Sequence, residues 1–174
     1  MKTDYGWELI KPGRRGRKKA RYYLAYGSNL NLTQMADRCP GAKRRGWGRI
    51  ENYELLYKGS KTGSYLTIEP KEGSYVPVGV FSVTPFDEDR LDRYEGFPRF
   101  YYKKEMKIEI WDEVLEKKRT VDAFVYIMHE DRKLGIPSIF YVQTCLEGYI
   151  DFDFDLDLLE KAEEKSTAAA KGGE

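Results

Sequence analysis

Runs of aromatic and β-branched residues recur along the chain at residues 22–26, 53–57, 65–69, 76–83, 100–111 and 120–128, with Gly and Pro clusters between several of them. Such runs predict six strands. Met106, Ile108 and Ile110 alternate with Lys107 and Glu109, the period-2 pattern of a half-buried strand, whereas VDAFVYIM at residues 121–128 is apolar at nearly every position and suits a strand covered on both sides. The sheet is expected to be curved, closed or nearly so. No internal repeat is present at any period.

Helical signals fall between the strands, giving an α+β chain. Asn31 followed by Gln34 resembles a capping box, with Leu32, Met35 and Ala36 on one face and Pro40 beyond the end. Thr84, Pro85 and Asp87 mark a start, and Gly96 then Pro98 a stop, so residues 85–95 read as a helix of about three turns. A third helix is expected over residues 138–147, with Ser138 as N-cap, Gly148 as its close and Ile139, Val142 and Leu146 as its buried stripe. A fourth is expected over residues 157–165.

The 174 residues, 41% hydrophobic and 14% aromatic, suffice for one domain with a sizeable core. Residues 11–21, KPGRRGRKKAR, carry seven basic side chains and no acidic one, so residues 1–21 are expected to form a flexible basic arm, residues 22–165 the domain, and residues 166–174 a disordered tail. Thirty basic against 29 acidic residues leave a net charge of +1, and a nucleic-acid partner is not expected of the chain as a whole. With no apolar run of membrane-spanning length and no signal-peptide pattern, the expected location is cytoplasmic, without a membrane partner. Cys39 and Cys145 read as reduced packing residues, and the single histidine, His129, as a loop residue. Metal sites and histidine triads therefore find no support, nor do the glycine-rich loops of nucleotide sites. No cofactor is expected.

Three stretches carry candidate chemistry. In YYLAYGSNLN, residues 22–31, an apolar strand leaves through Gly27, Ser28 and Asn29 into a helix. Such a stretch is either a plain turn or a loop whose backbone N–H groups hold an anion, a carboxylate or a developing oxyanion. In LDRYEGFPRFYY, residues 91–102, Glu95 lies four residues after Leu91 and shares its inward face. It is either a carboxylate raised by desolvation into the range useful for proton transfer, or a helix-end residue paired on the surface with Arg93 or Arg99. In PSIFYVQTC, residues 137–145, Tyr141 either packs or offers its hydroxyl to a pocket.

Taken together, YLAYGSNL at residues 23–30, LDRYEG followed by Tyr101, and PSxxY ending at Tyr141 resemble the γ-glutamylcyclotransferase-like proteins, which include γ-glutamylamine cyclotransferases and AIG2-like proteins. The resemblance covers about residues 22–149, and FPRFYY after the glutamate is closer to the γ-glutamylamine and AIG2-like branch. It implies a small mixed β-barrel flanked by short helices. It also implies that the loop of Tyr26, Gly27, Ser28 and Asn29 grips a γ-glutamyl group, with Tyr141 lining the site and Glu95 as acid/base. The backbone N–H groups from Tyr26 to Leu30 are suited to the α-carboxylate or to the oxyanion, and Tyr101 is counted with the substrate-binding residues. The implied reaction closes the γ-glutamyl group of a γ-glutamyl amine or amino acid into 5-oxoproline and releases the amine. A non-catalytic domain binding a small amino-acid-like ligand, and a nucleic-acid-associated protein acting through the basic arm, are the alternatives. The basic arm is no part of the family pattern.

Overall fold

The computed structural model describes residues 19–60 and 63–172, so most of the basic arm lies outside the described residues. The chain opens with β1 (Arg21–Ala25), a 3-10 turn (Ser28–Leu30) and α1 (Leu32–Arg38). There follow β2 (Lys43–Ser60), β3 (Gly63–Val83), α2 (Pro85–Glu95), β4 (Tyr101–Asp112), β5 (Lys117–Met128), β6 (Lys133–Leu134), α3 (Ile139–Asp151) and α4 (Asp157–Lys171). The strand order is β3-β1-β5-β4-β2-β6, and β2 pairs with β3 as well, so five strands join into a ring with β6 outside it on β2. β1 and β5 run parallel and the remaining pairs are antiparallel. This mixed sheet with short helices is the expected α+β fold.

Two of the six expected strands, residues 65–69 and 76–83, are the two halves of one strand, β3. The break between them is a register shift: Glu51 pairs with Tyr75 and Tyr53 with Pro70, while Asn52, at φ 59°, accepts from Gly73 N–H at 3.1 Å. Proline and glycine mark that bulge and also break the hydrophobic pattern. β2 begins ten residues before the expected strand at 53–57. KRRGWGRIEN shows no alternation because Arg44 and Arg45 are held by Glu113 and Asp112, and because Gly46 passes so close to β4 that a Cβ would lie 1.9 Å from the Trp111 carbonyl oxygen.

Three helical expectations are corrected. α3 continues past Gly148 to Asp151, and Gly148 is a close-packing position rather than a stop, since a Cβ there would lie 2.6 Å from Asn31 N. Ile139 is 85% exposed; the fully buried residues of α3 are Cys145, Gly148 and Tyr149. α4 extends to Lys171, into the segment expected to be a disordered tail. Leu159, Ala162 and Ser166 form its buried stripe, and Ser166 Oγ accepts from Tyr57 N–H at 3.0 Å. Beyond Leu159 the stripe is carried by the small residues Ala162 and Ser166, so the second half of the helix lacks the large apolar side chains by which a packed helix is ordinarily read. No helix among the described residues is long and apolar enough to cross a membrane.

Candidate active site

Glu95 closes α2, and the helix is built to place it. Thr84 caps the N-terminus in a reciprocal capping box with Asp87, Pro85 follows, and Leu91 is fully buried, which turns the face shared by Leu91 and Glu95 inward. Gly96 ends the helix at φ 63°, the left-handed conformation that favours glycine. Gly96→Ala is expected to destabilise the fold by about 1–2 kcal/mol through the left-handed Cβ penalty and to lower activity by displacing Glu95. A denaturant titration and a rate measurement on the variant check this; unchanged stability would contradict it.

On the other side of the site, β1 ends at Ala25 and the chain turns through Tyr26 and Gly27 into the 3-10 turn. Its first internal bond is Leu30 N–H to the Gly27 carbonyl, at 3.0 Å, so the N–H groups of Ser28 and Asn29 precede any bond of the turn. The Asn31 side chain then caps α1 by accepting from Gln34 N–H, but the Gln34 side chain turns away to Thr144 and Arg38, so only half of the expected capping box forms.

These elements enclose a cavity of about 440 Å³ lined by Tyr26, Gly27, Ser28, Asn29, Glu95, Tyr101 and Tyr141, among others. Seven of the eight site residues expected from sequence thus meet at one place. Leu30 does not: it is fully buried in the core, packed against Gly79 and Gly148. Its neighbour Asn29 turns to the cavity while Leu30 anchors the loop. His129 lies elsewhere, its Nε2 2.7 Å from the Pro98 carbonyl oxygen, and Cys39 and Cys145 are free and buried.

Glu95 forms no salt bridge among the described residues, and Asn29 Nδ2 donates to its Oε1 at 3.1 Å. The surface-pair alternative is thereby set aside. Desolvation by burial pushes the Glu95 carboxyl up to about 7, against the opposing pull of the Arg38 charge and the Asn29 hydrogen bond. A carboxyl of that kind exchanges protons near neutral pH.

Several residues of the site have no motif. Arg38 at the end of α1 donates to Asn29 Oδ1 at 2.6 Å and to Ser28 Oγ at 3.2 Å, and its guanidinium lies 3.8 Å above the Tyr94 ring. It joins the loop to the end of α2. Tyr65, Phe100 and Tyr94 add an aromatic wall, with the Tyr65 ring edge-on to Tyr141 and to Phe100. Tyr141 is fixed by Leu66 N–H, which donates to its hydroxyl at 3.1 Å, and Tyr101 by donating to the Leu66 carbonyl at 2.8 Å. Arg38 lies four residues after Gln34 on the helix that follows the loop, the one local signal that could have drawn it in.

The family model for gamma-glutamyl cyclotransferase, AIG2-like, matches residues 23–142. No curated protein sequence matches the chain. Among solved structures, a gamma-glutamyl cyclotransferase superposes with a TM-score of 0.69 at 22% identity, over 83% of this chain and 87% of that one. The uncharacterized protein loc79017 from Homo sapiens gives 0.68 at 22% identity, over 84% of this chain and 88% of that one. YkqA from Bacillus subtilis gives 0.66 at 14% identity, over 88% of this chain and 56% of that one. At these identities the structural likeness concerns the fold.

Proposed function

The chain belongs to the gamma-glutamyl cyclotransferase, AIG2-like family, and from that premise we propose that it cyclises a γ-glutamyl amine or γ-glutamyl amino acid to 5-oxoproline with release of the amine. One observation carries this reading: a carboxyl pushed up to about 7, hydrogen-bonded to Asn29 of the Tyr-Gly-Ser-Asn loop, on the wall of a cavity of about 440 Å³.

The reaction begins with the α-ammonium of the substrate, which must lose a proton before its nitrogen becomes a nucleophile. Glu95 takes that proton. The nitrogen attacks the γ-carbonyl carbon, the π electrons move to the oxygen, and a five-membered ring closes. Glu95 returns the proton to the leaving nitrogen, the bond from the γ-carbon to that nitrogen breaks and the carbonyl re-forms. The now cationic ring nitrogen gives up its second proton, which passes through Glu95 to the released amine so that it departs as the ammonium ion. No water, metal or redox partner enters this balance. Nucleophile and electrophile belong to one molecule, so the protein's tasks are to hold the folded conformer and to stabilise the developing charge. The N–H groups of Ser28 and Asn29 are suited to the substrate α-carboxylate or to the oxyanion.

A panel of γ-glutamyl amino acids, γ-glutamyl alkylamines and γ-glutamyl-lysine, assayed for 5-oxoproline, tests the reading. Turnover of at least one class is expected, undiminished by EDTA and without added nucleotide. Saturable binding with no 5-oxoproline from any of them would favour a non-catalytic ligand-binding domain.

A further inference from the structure

Four buried tyrosines, Tyr23, Tyr26, Tyr101 and Tyr126, line the cavity. Three of their hydroxyl protons are engaged by the protein itself. Tyr26 donates to the Tyr126 carbonyl at 2.6 Å, Tyr101 to the Leu66 carbonyl at 2.8 Å and Tyr126 to Asp92 Oδ1 at 2.5 Å. Tyr23 differs. Its oxygen accepts from Asn29 Nδ2 at 2.9 Å, and its own proton has no acceptor among the described residues.

The direction of that bond is fixed by a third residue. A guanidinium has only donors, so the Arg38 contact of 2.6 Å identifies the Asn29 atom facing it as Oδ1 and turns the amide NH₂ toward Tyr23 and Glu95. One amide nitrogen thus binds both the Tyr23 hydroxyl, at 2.9 Å, and the Glu95 carboxyl, at 3.1 Å. An acceptor bond of this kind polarises the Tyr23 O–H and leaves its proton for a ligand. The ring is held in place by Phe124 and Tyr126, with centroids at 5.5 and 5.7 Å. Burial and the nearby Glu95 charge keep the phenol well above its ordinary range, so it stays a neutral donor throughout physiological pH.

We propose that Tyr23 is a further catalytic residue, whose O–H donates a hydrogen bond to the γ-carbonyl oxygen of the substrate and holds that oxygen as negative charge develops on it. The role rests on the cyclotransferase reading. The proton stays on Tyr23, because the charge returns to the carbonyl when the amine leaves. Tyr23 and Glu95, linked by Asn29, then serve the two polar ends of the reaction: the oxygen that gains charge and the nitrogens that exchange a proton.

Tyr23→Phe tests this, because it removes one oxygen and leaves the ring between Phe124 and Tyr126. With a γ-glutamyl substrate that the unaltered protein turns over, kcat is expected to fall about 100- to 1,000-fold, the usual loss for one oxyanion donor. KM should stay within a few-fold, the melt should remain cooperative, and the acid limb of the pH–rate profile should stay where it was. A kcat within about fivefold of the unaltered protein overturns the proposal. A rate largely recovered at a shifted pH also overturns it, since Tyr23 would then act only by tuning Glu95. Loss of the cooperative melt would assign the hydroxyl to the fold and overturn it equally. Failure of the unaltered protein to release 5-oxoproline from any γ-glutamyl compound would instead remove the cyclotransferase reading, and the role of Tyr23 with it.

Discussion

Glu95→Gln will bind γ-glutamyl ligands with nearly unchanged affinity and turn them over at least about two orders of magnitude more slowly, since general acid–base catalysis contributes about 100- to 10,000-fold. Glutamine keeps the length of the side chain and an oxygen that can accept from Asn29, but it exchanges no proton near neutral pH. For the unaltered protein, the rate should fall on the acid side with an apparent pKa near the value of about 7 to which burial pushes Glu95. The same shift has a consequence for stability that is independent of turnover. The folded carboxyl titrates above its ordinary value of 4.5, so its contribution to stability is fully present below about 4.5 and is lost as pH rises through about 7. Above that pH the ionised carboxylate remains desolvated, a cost that the neutral glutamine avoids. Thermal melts of the two proteins should therefore diverge between pH 5 and pH 8, with Glu95→Gln the more stable at the upper end. Equal turnover, or a melting difference that does not change with pH, would mark Glu95 as an ordinary helix-end residue.

Arg38→Met should produce the second large effect, and for a different reason. Methionine keeps much of the aliphatic stem but loses the donors to Asn29 and Ser28, the bond to Gln34 and the guanidinium above Tyr94. The Asn29 amide is then free to rotate, and Glu95 loses the positive charge that opposes its upward shift. Two results follow. Turnover at pH 7 should drop about 10- to 100-fold through misplacement of the loop groups, and the acid limb should move to higher pH. A profile whose limb stays in place would show that Arg38 does not act on Glu95.

The parts of the site legible in the sequence were those with local causes. α2 could be bounded at residues 85–95 because Thr84, Pro85 and Gly96 act on their immediate neighbours, and Glu95 could be aimed inward because it repeats the position of Leu91 one turn later. The Tyr26 to Asn29 loop was legible as a strand exit rich in hydrogen-bonding residues. Tyr23, Arg38 and Tyr65 were not, because their roles come from elements brought together by the fold: the Arg38 contact to Asn29 crosses from a helix to a turn, and Tyr65 meets Tyr141 across 76 positions (141 − 65). Leu30 was counted with the loop by adjacency, whereas successive residues of a tight turn can face opposite ways. The start of β2 escaped for a related reason. Its arginines pair with Asp112 and Glu113, so a basic, glycine-containing segment sits within the sheet.

In the proposed reaction the nucleophile is the substrate's own α-nitrogen, and no water is consumed. Turnover of a γ-glutamyl amine in ¹⁸O-enriched water, with the products resolved by mass, tests it most directly. Cyclisation predicts 5-oxoproline and free amine in equal amounts, with no solvent oxygen in the initial product; glutamate carrying ¹⁸O would mean hydrolysis and contradict the account.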